Sequence, residues 1–234
     1  MQSGRYRVDI GTLSLSCSGE HMAKIVVVGN SKGGTGKSTS SLQFSIGLAR
    51  EGARVWLVDG DRQETSVTAI TMRAQSGRPP IAASAYANGA TLRAQVLQQR
   101  DAYDFVVIDA GGRDSSALRA ALTVCDAVVI PCLPRTFDVW AMQDMVQLVD
   151  EARAVHDLKA FAFLNSADAN GADNRDAAAA IADFSQVELL PYRLGRRKAY
   201  SNASGAGLHV EEMPRRDTVA CAEIDRLTVA VFGV

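Results

Sequence analysis

The stretch "KIVVVGNSKGGTGKSTS", residues 24–40, constrains the fold more than any other part of the chain. An apolar, β-branched run leads into a loop with glycine at 33, 34 and 36, and a helical pattern follows. Strand, glycine loop and helix in this order form the context in which such a loop binds phosphate. Gly33, Gly34 and Gly36 let backbone N–H groups converge on an anion without interference from a Cβ. The helix behind them points its N-terminal dipole and unpaired N–H groups at the same anion. In this arrangement Lys37 reaches the β- and γ-phosphates of a nucleotide, the Ser38 hydroxyl ligates Mg2+, and Thr35 and Thr39 complete the binding set. The strict pattern G-x-x-x-x-G-K-[ST] is not met, because Ser31 stands where its first glycine belongs. The loop also holds a second lysine, Lys32, five positions before Lys37.

Beyond the loop, short apolar runs alternate with longer amphipathic stretches. The runs are residues 24–28, 54–58, 105–108, 127–130, 160–164 and 187–190. Continuous apolar runs of this length suit strands buried on both faces. Leu42, Ile46 and Ala49 share one helical face before a stop at Gly52, and Val139, Met142, Val146 and Val149 recur at helical spacing. The alternation predicts an α/β fold with one doubly wound, mostly parallel sheet and right-handed crossovers. Residues 22–234 are expected to form one domain, with 1–21 as a leader or loose extension. The 234 residues are 47% hydrophobic and 22% charged, which excludes chain-wide disorder. A net charge of −1 excludes a uniformly basic nucleic-acid coat but not a local basic patch. Cys17, Cys125, Cys132 and Cys221 show no C-x-x-C spacing, and Cys125 and Cys132, flanking an apolar strand, are expected to be inert.

In a doubly wound sheet, ligands sit beyond the carboxyl ends of the strands. Asp59 and Asp61 follow "RVWLV", and Asp109 follows "FVVI". A hydrophobic strand ending in aspartate beside a phosphate loop is the Walker B arrangement. Asp109 is therefore expected to hold Mg2+ through water, with Ala110–Gly112 offering N–H groups toward the γ-phosphate. Strand-terminal aspartates also cap the following helix, and both roles stand for Asp59, Asp61 and Asp109.

"SKGGTGKST" resembles the deviant Walker A motif of the ParA/MinD group of ATPases, and the resemblance extends over residues 24–230. It implies ATP and Mg2+ as cofactors and an ATP-dependent homodimer in which Lys32 contacts the phosphates in the partner's site. A lysine offered in trans neutralises facing triphosphates only when both nucleotide and partner are present; loss of one member of such a buried pair typically costs about 2–5 kcal/mol. "DGDRQ" is similar to the family's switch I, usually D-x-D-P-Q, with Arg62 in place of proline. By that resemblance Asp59 supports Mg2+ and the loop, Asp61 orients or deprotonates the attacking water, and Gln63 is a weaker candidate. Lys32, Lys37 and Asp61 form the catalytic set, and Ser38, Asp59 and Asp109 the metal set. Asn165 in "FLNSAD" matches a position that contacts adenine, and Pro191 lines the base or simply makes a turn.

"RLGRRK" clusters Arg193, Arg196, Arg197 and Lys198, and Arg215 and Arg216 follow. Two readings stand: a non-specific DNA footprint, or a solvated face paired with Glu211 and Glu212. The leading expectation is a short-form DNA-partition ATPase without a helix-turn-helix domain, stimulated by a ParB-like centromere-binding adaptor. It would sit in a prokaryotic cytoplasm on the nucleoid. Alternatives are a ParA-like ATPase that positions protein or organelle cargo, and a MinD-like membrane-cycling ATPase. The ending "EIDRLTVAVFGV" reads as a core-packing helix, which disfavours the membrane. Trp140 and Met142 are assigned to core or dimer packing, and His209 has no evident partner.

Overall fold

The computed structural model describes residues 22–112 and 116–234. The expected leader, residues 1–21, lies outside the described residues. Seven strands form one sheet: β1 (Lys24–Val28), β2 (Val55–Asp59), β3 (Ala82–Ala85), β4 (Phe105–Asp109), β5 (Ala127–Cys132), β6 (Lys159–Leu164) and β7 (Glu188–Leu189). Their order is β3-β2-β4-β1-β5-β6-β7, and every pairing is parallel. β1 is central, with β4 and β5 on either side of it, so its carboxyl end lies at the topological switch point.

Residues of β1 alternate between two cores. Ile25 and Val27 pack into one with α3 (Gly89–Gln99), α4 (Ser116–Leu122), α5 (Val139–Arg153) and α6 (Ala172–Ala182). Val26 and Val28 pack into the other with α1 (Lys37–Arg50), α2 (Thr65–Gln75), α7 (Lys198–Gly205) and α8 (Thr218–Phe232). The doubly wound expectation is met, and α8 buries Ile224, Leu227, Val231 and Phe232 as a core-packing helix should.

Three local features go beyond those expectations. β3, "AASA", carries no β-branched or bulky residue, so nothing in its composition marks it; it forms because parallel pairing to β2 supplies its hydrogen bonds at the sheet edge. α1 buries far more than one face: Ser40, Ser41, Gln43 and Ser45 are buried along with Leu42, Phe44, Ile46 and Leu48. The Gln43 amide meets its polar needs by donating to Ser204 Oγ at 3.1 Å and to Leu208 O at 3.0 Å, and by accepting from Val210 N at 2.9 Å. In the α5 helix, Met142, Val146 and Val149 are buried, but Val139 and Trp140 in its first turn are 44% and 77% exposed. Core packing is therefore Met142's role and not Trp140's.

Candidate functional site

The phosphate loop is fastened at its outer side before it reaches its glycines. Asn30 donates to Pro131 O at 2.9 Å and accepts from Lys32 N at 2.9 Å. Ser31, at the place of the strict motif's first glycine, is 6% exposed and donates to Ala141 O of α5 at 3.1 Å. The departure from the strict motif thus ties the loop to α5. Sequence reasoning missed both residues, since nothing local marks a bond across 101 or 110 positions.

The rest of the loop faces outward. Gly34 and Gly36 have φ of 73° and 94°, a left-handed backbone that glycine adopts without strain. At Gly33 and Gly34 an added Cβ would meet nothing within 4 Å. Packing within one subunit therefore does not demand glycine at 33. At Gly36 a Cβ would stand 2.1 Å from Asn165 Nδ2. That amide donates to Thr35 O at 2.7 Å, so Asn165 braces the loop and keeps its carbonyl oxygen for another donor. Pro191 is exposed just beyond β7.

Lys37 is 9% exposed, and its ammonium donates to Lys32 O at 3.0 Å. Burial lowers its pKa, while Asp109 and Asp61 oppose the shift. Lys32 forms an ion pair with Asp138 at 3.6 Å; that aspartate also caps α5 by accepting from Ala141 N. The Lys32 side chain is 32% exposed.

The three aspartates assemble as expected at the carboxyl edge, with Asp59 and Asp109 directly opposite in the sheet register. Asp59 is fully buried and accepts from the backbone N–H groups of Asp61, Ser66 and Val67. It thereby serves as a remote N-cap for α2, whose own cap position, Glu64, offers no side-chain bond. Burial raises the Asp59 pKa against those backbone bonds. Asp109 is pushed up to about 6 by burial, opposed by hydrogen bonds from Ser66 and Ser38. Ser66 is a further residue that sequence reasoning missed. Asp61 is half-buried and accepts from Gln63 N at 3.0 Å; Arg62, at the usual proline position, is exposed.

These residues fit ATP with Mg2+. The cradle of Gly33, Gly34 and the α1 N-terminus has room for phosphate oxygens, and the buried Thr35 hydroxyl has no protein partner. Around that cradle stand the Lys37 ammonium, the Ser38 hydroxyl and the Asp109 carboxylate, a donor set that would suit a phosphate and a divalent cation.

The family described as "AAA domain" matches residues 23–86, and that described as "ATPase MipZ" matches residues 80–176. The maintenance of carboxysome distribution protein A of Halothiobacillus neapolitanus is 30% identical over 204 residues, which is 86% of this chain and 93% of that protein. The chain belongs to the ParA/MinD family of partition-type ATPases. Protein ParA of Rhizobium radiobacter is 27% identical over 89% of this chain and 96% of that protein. Among solved structures, the ATP complex of a Cyanothece McdA point variant matches with a TM-score of 0.74 at 16% identity, covering 92% of this chain and 98% of that one. The cell division ATPase MinD of Pyrococcus furiosus matches with a TM-score of 0.70 at 17% identity, covering 91% and 99%. At such identities these two likenesses establish the fold that the ParA/MinD sequence pattern implies.

The basic residues of this ParA/MinD member do not act alike. Arg193, Arg196, Lys198, Arg215 and Arg216 are exposed, and Arg193 donates to Ala169 O. Arg197 is instead engaged by Asp217 at 3.2 Å and Glu223 at 3.3 Å. The alternative reading, pairing of this cluster with Glu211 and Glu212, does not describe the principal contacts of these glutamates, although the Arg216 charge also helps to lower the Glu211 pKa. Glu211 pairs with Arg50, and Glu212 with Arg73, because α1 and α2 end beside the segment that carries these glutamates. His209, expected to lack partners, is buried and contacts Arg50 at 3.2 Å, while its backbone N–H donates to Glu212. Cys125 and Cys132 are buried, and burial raises both thiol pKa values, Cys132 to about 12. Among the described residues no helix is long and apolar enough to cross a membrane.

Proposed function

We propose that the chain is an ATP-driven positioning ATPase whose cargo is a protein assembly. Two subunits pair face to face around two ATP molecules, and Lys32 of each neutralises the triphosphate held by the other. When bound, Mg2+ would supply neutralising charge to the triphosphate. Lys37 holds the β- and γ-oxygens, Ser38 and Asp109 position the metal, and Asp59 holds the switch loop. Asp61 orients the attacking water, which yields ADP and phosphate. Asn165 and Pro191 receive the adenine.

The observation that carries this reading is the second lysine. Lys32 stands on the open side of the loop beside Gly33 and Gly34, while Lys37 already serves the same loop from within. For the cargo, the support is the Halothiobacillus relative, whose name places it in carboxysome distribution. The kinship with Protein ParA and with the chromosome-partitioning ATPase Soj of Thermus thermophilus supports a second reading, DNA segregation by the same cycle. In both readings a non-specific DNA track is held by Arg193, Arg196, Lys198, Arg215 and Arg216, hydrolysis is triggered by an adaptor on the cargo (ParB-like in the second), and the protein works on the nucleoid in the cytoplasm.

Sedimentation and DNA gel shift with and without ATP test the cycle. Wild type is expected to dimerise and bind DNA only with ATP. Lys32→Ala should bind ATP yet stay monomeric, and Asp61→Ala should dimerise but turn over poorly. An ATP-dependent dimer of Lys32→Ala would refute the trans role.

A further inference from the structure

Asp59 and Asp109 end adjacent parallel strands and face each other in register, 0% and 1% exposed. Two buried carboxylates side by side disfavour each other's ionised form. Between them sits Ser66, in the first turn of α2 and fully buried. Its backbone N–H donates to Asp59 Oδ2 at 2.9 Å, and its hydroxyl donates to Asp109 Oδ2 at 2.6 Å. Any residue but proline could make the first bond. Only a hydroxyl side chain of this length makes the second.

We propose that Ser66 is a positioning residue for Asp109, holding the carboxylate in the orientation that it presents to Ser38 and thereby tying α2 to the occupancy of the Mg2+ site. The inference rests on the ATPase reading above and deepens it. A carboxylate has about four acceptor sites. Ser66 takes one on Oδ2 and Ser38 bonds the same group, so the carboxylate is fixed from two elements while acceptor capacity remains. Partners that hold a metal-site carboxylate in place are commonly worth about 10–100-fold in metal affinity. The same serine fastens the start of α2 to Asp59, so Asp109, the switch loop and the helix behind it share one hydrogen-bonded node. Nothing in the D-x-D pattern or the phosphate loop asks for a serine at 66, and only the fold shows its partner across 43 positions.

The test is a Mg2+ titration of the ADP-bound full chain, read by the rise in thermal unfolding temperature, and Mn2+ binding read by electron paramagnetic resonance. Ser66→Ala is expected to need about tenfold more metal at the midpoint. Its ADP affinity in EDTA should equal the wild type's. Ser66→Cys, nearly isosteric with a weak donor, should shift the midpoint in the same direction and carries the test if the alanine variant does not fold. A role confined to packing would lower the unfolding temperature of both variants and leave the metal midpoint in place, and that result overturns the inference. If wild type gains no stability from Mg2+ with ADP, the ATPase reading itself fails, a result distinct from an unshifted midpoint in the variants.

Discussion

Lys32 and Lys37 share a loop but not an environment. Lys37 is enclosed and bonded within the loop, whereas Lys32 lies at its outer edge against Asp138. Sequence spacing distinguishes the two lysines; only the structure shows that one is held by an α5 cap. His209 shows a different residue-scale effect. Burial first and the Arg50 charge second hold its pKa down to about 4. An unfolded histidine binds its proton near pH 6.5. Between about 6.5 and 4 the unfolded chain therefore carries the extra proton, so stability is fully present above this window and falls as pH drops through it. The loss approaches about 3 kcal/mol at most. Urea unfolding at pH 7.5 and 5.0 should show this decline in wild type and a weaker one in His209→Gln.

At the scale of elements, α1 and α2 are each held at both ends. Their N-termini meet the phosphate loop and Asp59, and their last turns carry Arg50 and Arg73 to Glu211 and Glu212. The Arg73–Glu212 pair is bidentate and only 2% and 7% exposed. Arg73→Ala removes the bidentate partner of this buried carboxylate, leaving it Arg78 at 3.8 Å and the His209 N–H, and is expected to cost about 3 kcal/mol in urea unfolding. Gly36→Ala should be damaging at the other end of α1. It forces a non-glycine residue to a φ of 94° and drives Asn165 off Thr35, at a cost of about 1–2 kcal/mol in backbone strain alone. Fluorescent-nucleotide binding should fall with it. α5 offers an optical readout: Trp140 is 77% exposed and Trp56 1%. If pairing covers the α5 start beside Lys32, ATP should shift the emission of Trp140 to shorter wavelength in wild type and not in Lys32→Ala.

For the whole molecule, the parallel sheet gathers residues 30–39, 59–66, 109 and 165 at one edge and leaves the exposed arginines to the loops around β7 and the start of α8. Counterion release gives a slope of about −0.9 per phosphate contact. Replacing Arg215 and Arg216 together should therefore flatten the salt dependence of DNA binding by about two units. Arg197→Ala should act through stability, because its guanidinium already serves Asp217 and Glu223. An unchanged slope in the double variant would place the DNA surface elsewhere.

The central strands, the phosphate loop and the strand-end aspartates were legible in the residues themselves, because each is specified by neighbours in the chain: an apolar run, closely spaced glycines, a carboxylate ending a strand. β3 was not, since four small residues become a strand only by pairing with β2. The same holds for Ser66 on Asp109, Asp138 on Lys32, and Arg73 on Glu212. A hydrogen bond or ion pair between positions tens to more than a hundred residues apart depends on distance in space, and local pattern carries no information about that distance until the crossovers have brought the strand ends together.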